Sequence, residues 1–73
     1  MPYRTIEDLP ESVRRHLPRH AQEIYRSAFN NAWQSHSLDP AREEITHRIA
    51  WAAVKRRYGK TGGEWVRREP PRP

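Results

Sequence analysis

An all-α domain of three helices is the fold class that the sequence predicts. Three observations carry it. Apolar residues recur at i, i+3 and i+4 from Ala21 to Trp33. A second helical stretch opens at Asp39-Pro40 and closes near Gly59. Two Leu-Pro steps, Leu9-Pro10 and Leu17-Pro18, each suit a helix start. A chain of 73 residues has room for one domain. The expected division is a single domain over 1–67 and a disordered Pro/Arg tail over 68–73.

The first helix is expected at about 9–16. Asp8 stands three residues before Glu11 in a capping-box arrangement, Leu9, Val13 and Leu17 share an i, i+4 stripe, and Pro18 ends the run. The second helix, about 19–34, places Ala21, Ile24, Tyr25, Ala28, Phe29, Ala32 and Trp33 on one face. Gln22, Glu23, Arg26, Ser27, Asn30 and Asn31 form the polar, solvated face. After the connector 35–40, Asp39 caps the free N–H groups of Ala41 and Arg42, and Pro40 takes the first helical position of a third helix over about 40–58.

That third helix carries two apolar stripes. One runs through Ile45, Ile49, Ala52 and Ala53, the other through His47, Ala50, Trp51, Val54 and Tyr58, so the pattern predicts a central helix covered on nearly all sides. Gly59 is its expected stop, and Lys60-Thr61-Gly62-Gly63 a flexible turn. Trp65 and Val66 are good strand residues, and the other segment of that kind is 2–5, which predicts a two-stranded pairing of 2–5 with 64–67. The predicted core is Leu9, Val13, Leu17, Ile24, Tyr25, Ala28, Phe29, Trp33, Ile45, Ile49, Trp51, Ala52, Val54 and Tyr58.

Composition bounds function. With no cysteine, disulfides and cysteine metal sites are excluded. The longest apolar run, Ile49 to Val54, is six residues, far short of the roughly 20 that a membrane helix needs, and no leader is evident, so a soluble, cytoplasmic protein is expected, acting as a monomer. The net charge of +5 is localised: Met1 to Val54 holds seven charges of each sign, while the last nineteen residues hold seven positive and two negative.

Over most of its length the chain resembles the ChaB family, described as cation transport regulators. The residues that carry the resemblance are Met1-Pro2-Tyr3, Asp8-Leu9-Pro10-Glu11-Ser12-Val13, Leu17-Pro18, His20-Ala21-Gln22, Ile24-Tyr25, Ala28-Phe29-Asn30, Ala32-Trp33, Arg42-Glu43-Glu44, His47 and Ala50-Trp51-Ala52-Ala53-Val54-Lys55. The resemblance implies a small cytoplasmic helical protein, accessory to Na+/K+/Ca2+ to proton antiport, with no catalytic residues and no cofactor. The connector 35–40 is shorter than family members often have.

Candidate sites follow from residue type and spacing. Glu43, Glu44 and His47 share one helix face, but the second histidine of a zinc helix motif is missing, so no metal is expected, and His47 reads as a core-edge histidine held by Glu43. Ser12, Ser27, Ser35 and Ser37 lie in no nucleophile-elbow context, and no glycine-rich phosphate loop exists, so an enzyme is not expected. The basic set Lys55, Arg56, Arg57, Lys60, Arg67 and Arg68, joined by Arg72 in the tail, is the candidate partner-binding surface. Lys55 to Arg57 also complement the negative end of the helix dipole, which accounts for three of these charges. Trp65 either anchors the terminal pairing or touches a partner. The expected partner is a protein, such as the cytoplasmic face of a cation/proton antiporter. The alternative is a nucleic-acid-associated protein that uses the same charges on phosphates.

Overall fold

Two helices of nearly equal length carry most of the structure. In the computed structural model, which describes residues 2–68, a 3-10 turn (Ile6–Asp8) leads to α1 (Glu11–His16), α2 (Arg19–Ser35) and α3 (Arg42–Arg57), then to β1 (Tyr58–Thr61) and β2 (Glu64–Arg67). The helices α2 and α3 run antiparallel, since the side chains of His20 and Tyr58, Tyr25 and Trp51, and Trp33 and Arg42 meet across them. Three helices and one antiparallel strand pair make up the described chain, in keeping with the expected fold class.

Each helix has a local cause. The Leu9, Val13 and Leu17 stripe is buried, and α1 stops where Pro18 begins the next helix. Asp8 does not cap α1. Its carboxylate accepts from the Thr5 N–H and hydroxyl, both at 3.2 Å, and so closes the preceding 3-10 turn. Gln22, expected on a solvated face, donates through Nε2 to the Leu17 carbonyl at 2.8 Å and ties the α1 exit to α2. Asp39 Oδ1 accepts from the Ala41 N–H at 2.8 Å, as expected, but the Arg42 N–H goes to the Asp39 backbone carbonyl at 3.1 Å, and the helix begins at Arg42 and not at Pro40. Arg42 then reaches back to α2: its Nε and Nη2 donate to the Trp33 carbonyl at 2.8 and 2.6 Å, and its guanidinium lies 3.6 Å over the Trp33 ring. This clasp ties the start of α3 to the end of α2.

The strand pairing differs from the expected one. Strand β2 pairs antiparallel with β1, Tyr58 opposite Arg67 and Lys60 opposite Trp65, and not with residues 2–5. Gly62 and Gly63 form a two-residue hairpin turn with φ of 59° and 84°, conformations open to glycine and strained for other residues. The amino-terminal segment satisfies its backbone otherwise. Asn30 accepts the Tyr3 N–H through Oδ1 and donates through Nδ2 to the Tyr3 carbonyl, both at 2.8 Å, so one side-chain amide does the work of a strand neighbour. Arg26 adds a bond to the Arg4 carbonyl at 3.1 Å.

Helix α3 ends at Arg57, and Tyr58 already has extended backbone, φ −128° and ψ 145°. Gly59 therefore sits inside β1 and does not stop the helix. Arg68, expected to begin the tail, belongs to the fold: its N–H donates to the Arg57 carbonyl at 2.7 Å. The rest of the expected tail, 69–73, lies outside the described residues.

The core gathers Ile6, Leu9, Val13, Leu17, Ala21, Tyr25, Phe29, Ala50, Val54 and Tyr58, with Tyr3, Ile24, Ala28, Trp33, Trp51 and Trp65 packed against it. Ile6, Ala21 and Ala50 were not in the predicted core, nor were the buried Ala32 and Thr46. The expectation that α3 is covered on nearly all sides fails. Its Thr46, Ala50 and Val54 face is sealed, but Ile49 is 37% exposed, Ala52 is exposed, and Ile45 is half-buried. The cause is geometric: α2 and β1 pack on α3 and seal its Thr46, Ala50 and Val54 face, while Ile49, Ala52 and Ala53 stand at the open edge of the α2 contact.

Candidate partner-binding surface

The basic residues sit at the end of α3 and on the hairpin that continues it. Lys55, Arg56 and Arg57 form the last turn of α3, where positive charge is favoured by the partial negative charge of the unpaired carbonyls. Successive helix residues are rotated by about 100°, so these three side chains fan over roughly 200° and do not form one flat patch. All three are exposed, as are Lys60, Arg67 and Arg68.

Strand register sorts the remaining charges. Directly opposed residues share a sheet face. Tyr58, Lys60, Trp65 and Arg67 therefore stand on one face, and Gly59 and Val66 on the other. The first face is the one that meets the core, because Tyr58 is buried on it and Trp65 lies against Trp51 with ring centroids 5.6 Å apart. Lys60 and Arg67 rise at its rim. Arg68 follows on the opposite face and turns back over Gly59. Its Nε donates to the Lys55 carbonyl at 3.0 Å and to the Tyr58 carbonyl at 3.2 Å. Arg68 thus satisfies the α3 terminus, whereas Lys55, Arg56, Arg57, Lys60 and Arg67 have no carboxylate within ion-pair distance among the described residues.

An aromatic series backs this surface. Tyr3 lies on Phe29, Tyr25 meets Trp51 edge to face at 5.5 Å, and Trp51 meets Trp65. Burial pushes the Tyr25 phenol up to about 12, with Tyr3 contributing further, so the group is neutral over the physiological range, and its hydroxyl is hydrogen-bonded to His47 Nδ1 at 2.8 Å. Burial also raises Tyr3, and the Glu43 carboxylate adds to the effect. His47 is exposed and held by Tyr25, not by Glu43 as its spacing suggested. Among the described residues no group of three His, Asp or Glu side chains converges to hold a metal ion, and no helix is long and apolar enough to cross a membrane.

Known proteins share this fold. The ChaB family model matches residues 9–68, which spans α1 to the Arg68 cap. The chain belongs to the ChaB family. ChaB relatives from Escherichia coli strain K12 and from Shigella flexneri, each named "Putative cation transport regulator ChaB", are 53% identical over 66 residues, covering 82% of this chain and 87% of the relative. A solved ChaB structure, described as an "NMR solution structure of the putative cation transport regulator ChaB", superposes with a TM-score of 0.81 at 47% identity and covers 93% of this chain and all of the other. The family name is that of a regulator and not of an enzyme.

Sequence reasoning located the basic residues but could not divide them between structure and surface. Arg68 and Arg42 look like any other arginine in the sequence. Their roles depend on which carbonyls the fold leaves open nearby.

Proposed function

We propose that the protein is a non-enzymatic, cytoplasmic regulator of cation transport that contacts an acidic cytoplasmic face of a cation/proton antiporter through the basic end of the molecule. One observation carries the reading: five exposed cations, Lys55, Arg56, Arg57, Lys60 and Arg67, crowd the α3 exit and the hairpin without a carboxylate partner among the described residues. Uncompensated charge of one sign at one end of a small domain raises the encounter rate with a surface of opposite sign and orients it. The name carried by the relatives supports the choice of transport as the process.

The test is antiport flux in inverted membrane vesicles, with sodium, potassium and calcium in turn, with and without the purified chain. The protein is expected to change the flux of one cation, and Lys55→Gln, Arg57→Gln, Lys60→Gln and Arg67→Gln combined should remove the change while leaving the far-UV circular dichroism intact. Identical flux with and without the protein refutes the proposal. So does a low-salt mobility shift of duplex DNA or RNA that the same four substitutions abolish, since the charges then serve phosphates.

A further inference from the structure

Helix α3 has apolar residues on two sides, and the fold uses one of them. The stripe through Thr46, Ala50 and Val54 is sealed in the core, while Ile49, Ala52 and Ala53 line an open groove of about 480 Å³ between α3 and α2. The α2 wall contributes Ala28 and Ala32, so four of the lining residues, with Ala52 and Ala53, are alanines. Asn31, Ser35 and His36 form one polar edge, and Arg56 closes the other at the basic end.

We propose that this groove seats an acidic amphipathic helix of the partner protein. Three features of the site select that occupant. The walls are helices whose backbone groups are already hydrogen-bonded, so an added strand would find no ladder to join, whereas a helix needs only side-chain contact. Alanines at Ala28, Ala32, Ala52 and Ala53 let a third axis approach to the roughly 8–10 Å of helix packing, with larger apolar residues of the occupant filling the space beside Ile49. The charge is one-sided: the lining holds Arg56 and no carboxylate. An occupant with carboxylates beside its apolar stripe matches that rim, and a basic one is repelled. The inference rests on the protein-contact reading above and names the element of the partner that would make the contact.

The experiment uses the full chain, labelled with nitrogen-15, and a synthetic helical peptide of about 14 residues, roughly 21 Å long, with Leu at i, i+3, i+4 and i+7 and Glu on both flanks. Its counterpart carries Lys in place of every Glu. The acidic peptide is expected to shift the amides of Ala28, Ala32, Ile49, Ala52 and Ala53 and to bind at least about tenfold more tightly than the basic one. Ala52→Glu places a carboxylate in the groove, one turn before Arg56, where it forms a helix-stabilising i, i+4 pair. That variant should keep its helix content and lose about tenfold or more in affinity for the acidic peptide. Arg56→Glu should reverse the preference between the two peptides.

Equal affinity for both peptides, shifts confined to the hairpin, or unaltered binding by a folded Ala52→Glu protein would each overturn the inference. Self-association that buries Ile49 and excludes the peptide would overturn it in favour of a second copy of the chain. Vesicle flux separates it from the functional proposal. Modulation that survives Ala52→Glu removes the groove and leaves the regulator standing, while groove binding by a protein without effect on flux does the reverse.

Discussion

Arg67 and Arg68 are neighbours of the same type, and the structure predicts opposite consequences for their removal. Arg68→Ala deletes one bifurcated side-chain bond, in which the single Nε–H is shared by the Lys55 and Tyr58 carbonyls at 3.0 and 3.2 Å, while the backbone bond from residue 68 to Arg57 persists. A hydrogen bond from a charged donor contributes about 1.5–3 kcal/mol when buried. Since the Lys55 side of this shared bond is exposed and the Tyr58 side half-buried, about 1 kcal/mol for the whole is the appropriate scale. The expected loss is about 1 kcal/mol, which in a domain of this size lowers Tm by about 4–8 °C. Arg67→Ala, which breaks no bond of this kind, should stay within about 0.5 kcal/mol of the parent.

The assay is thermal and urea unfolding followed by circular dichroism at 222 nm. Gly59 supplies an internal control: a Cβ there would meet the Arg68 guanidinium at 3.3 Å, so Gly59→Ala crowds the cap. Its cost should shrink in the Arg68→Ala background by about 0.5 kcal/mol or more, a coupling that a double-mutant cycle reads directly. If Arg68→Ala proved no less stable than Arg67→Ala, and the cycle were additive, Arg68 would return to the exposed basic set and the assigned cap would be wrong.

Two further outcomes are expected. Asn30→Ala removes the reciprocal clamp on Tyr3 and should be less stable than the neighbouring exposed Asn31→Ala by about 1–2.5 kcal/mol in urea unfolding; the comparison cancels the gain in helix propensity common to both, and equal stabilities would refute the clamp. Tyr25 is raised from 10.0 to about 12 in the folded state, so the native protein holds this proton more tightly than the unfolded chain does. Its contribution is complete below pH 10 and is lost as pH rises from about 10 towards 12, which predicts falling stability in that window together with one late-titrating phenol at 295 nm. A Tyr25→Phe protein with the same alkaline profile would contradict it.

The legibility of the sequence varied with how local the cause was. The second helix could be bounded to within a residue at its C-terminal end, and the Leu9, Val13 and Leu17 stripe was read correctly as buried, because proline placement and apolar period act over a few residues. The hairpin had a signal that was read as flexibility: two glycines between Tyr58-Gly59-Lys60-Thr61 and Glu64-Trp65-Val66-Arg67 are the spacing of a two-residue turn. Residues 2–5 look like a strand, and what competed successfully for their backbone was a side chain 27 positions away, Asn30, which ranked as solvated by its place on the helix wheel. At the basic surface the residue types were evident, but Arg68 gave no sign of being different from Arg67.

The sequence by itself determined the three helices, the Asp39 bond at the entry to α3, the confinement of the excess charge to the last nineteen residues, and membership in a small helical family. These follow from covalent neighbours, where proline, capping oxygens and a 3.6-residue period act irrespective of the rest of the chain. Only the tertiary structure decided which stripe of α3 is covered, which arginine caps and which stays exposed, and what pairs with β2. Those outcomes depend on distances between residues remote in sequence. An apolar stripe is equally hydrophobic on either side of a helix until a neighbour occupies one of them, and on α3 the neighbours took the Ala50 and Val54 side, leaving Ile49, Ala52 and Ala53 in an open groove.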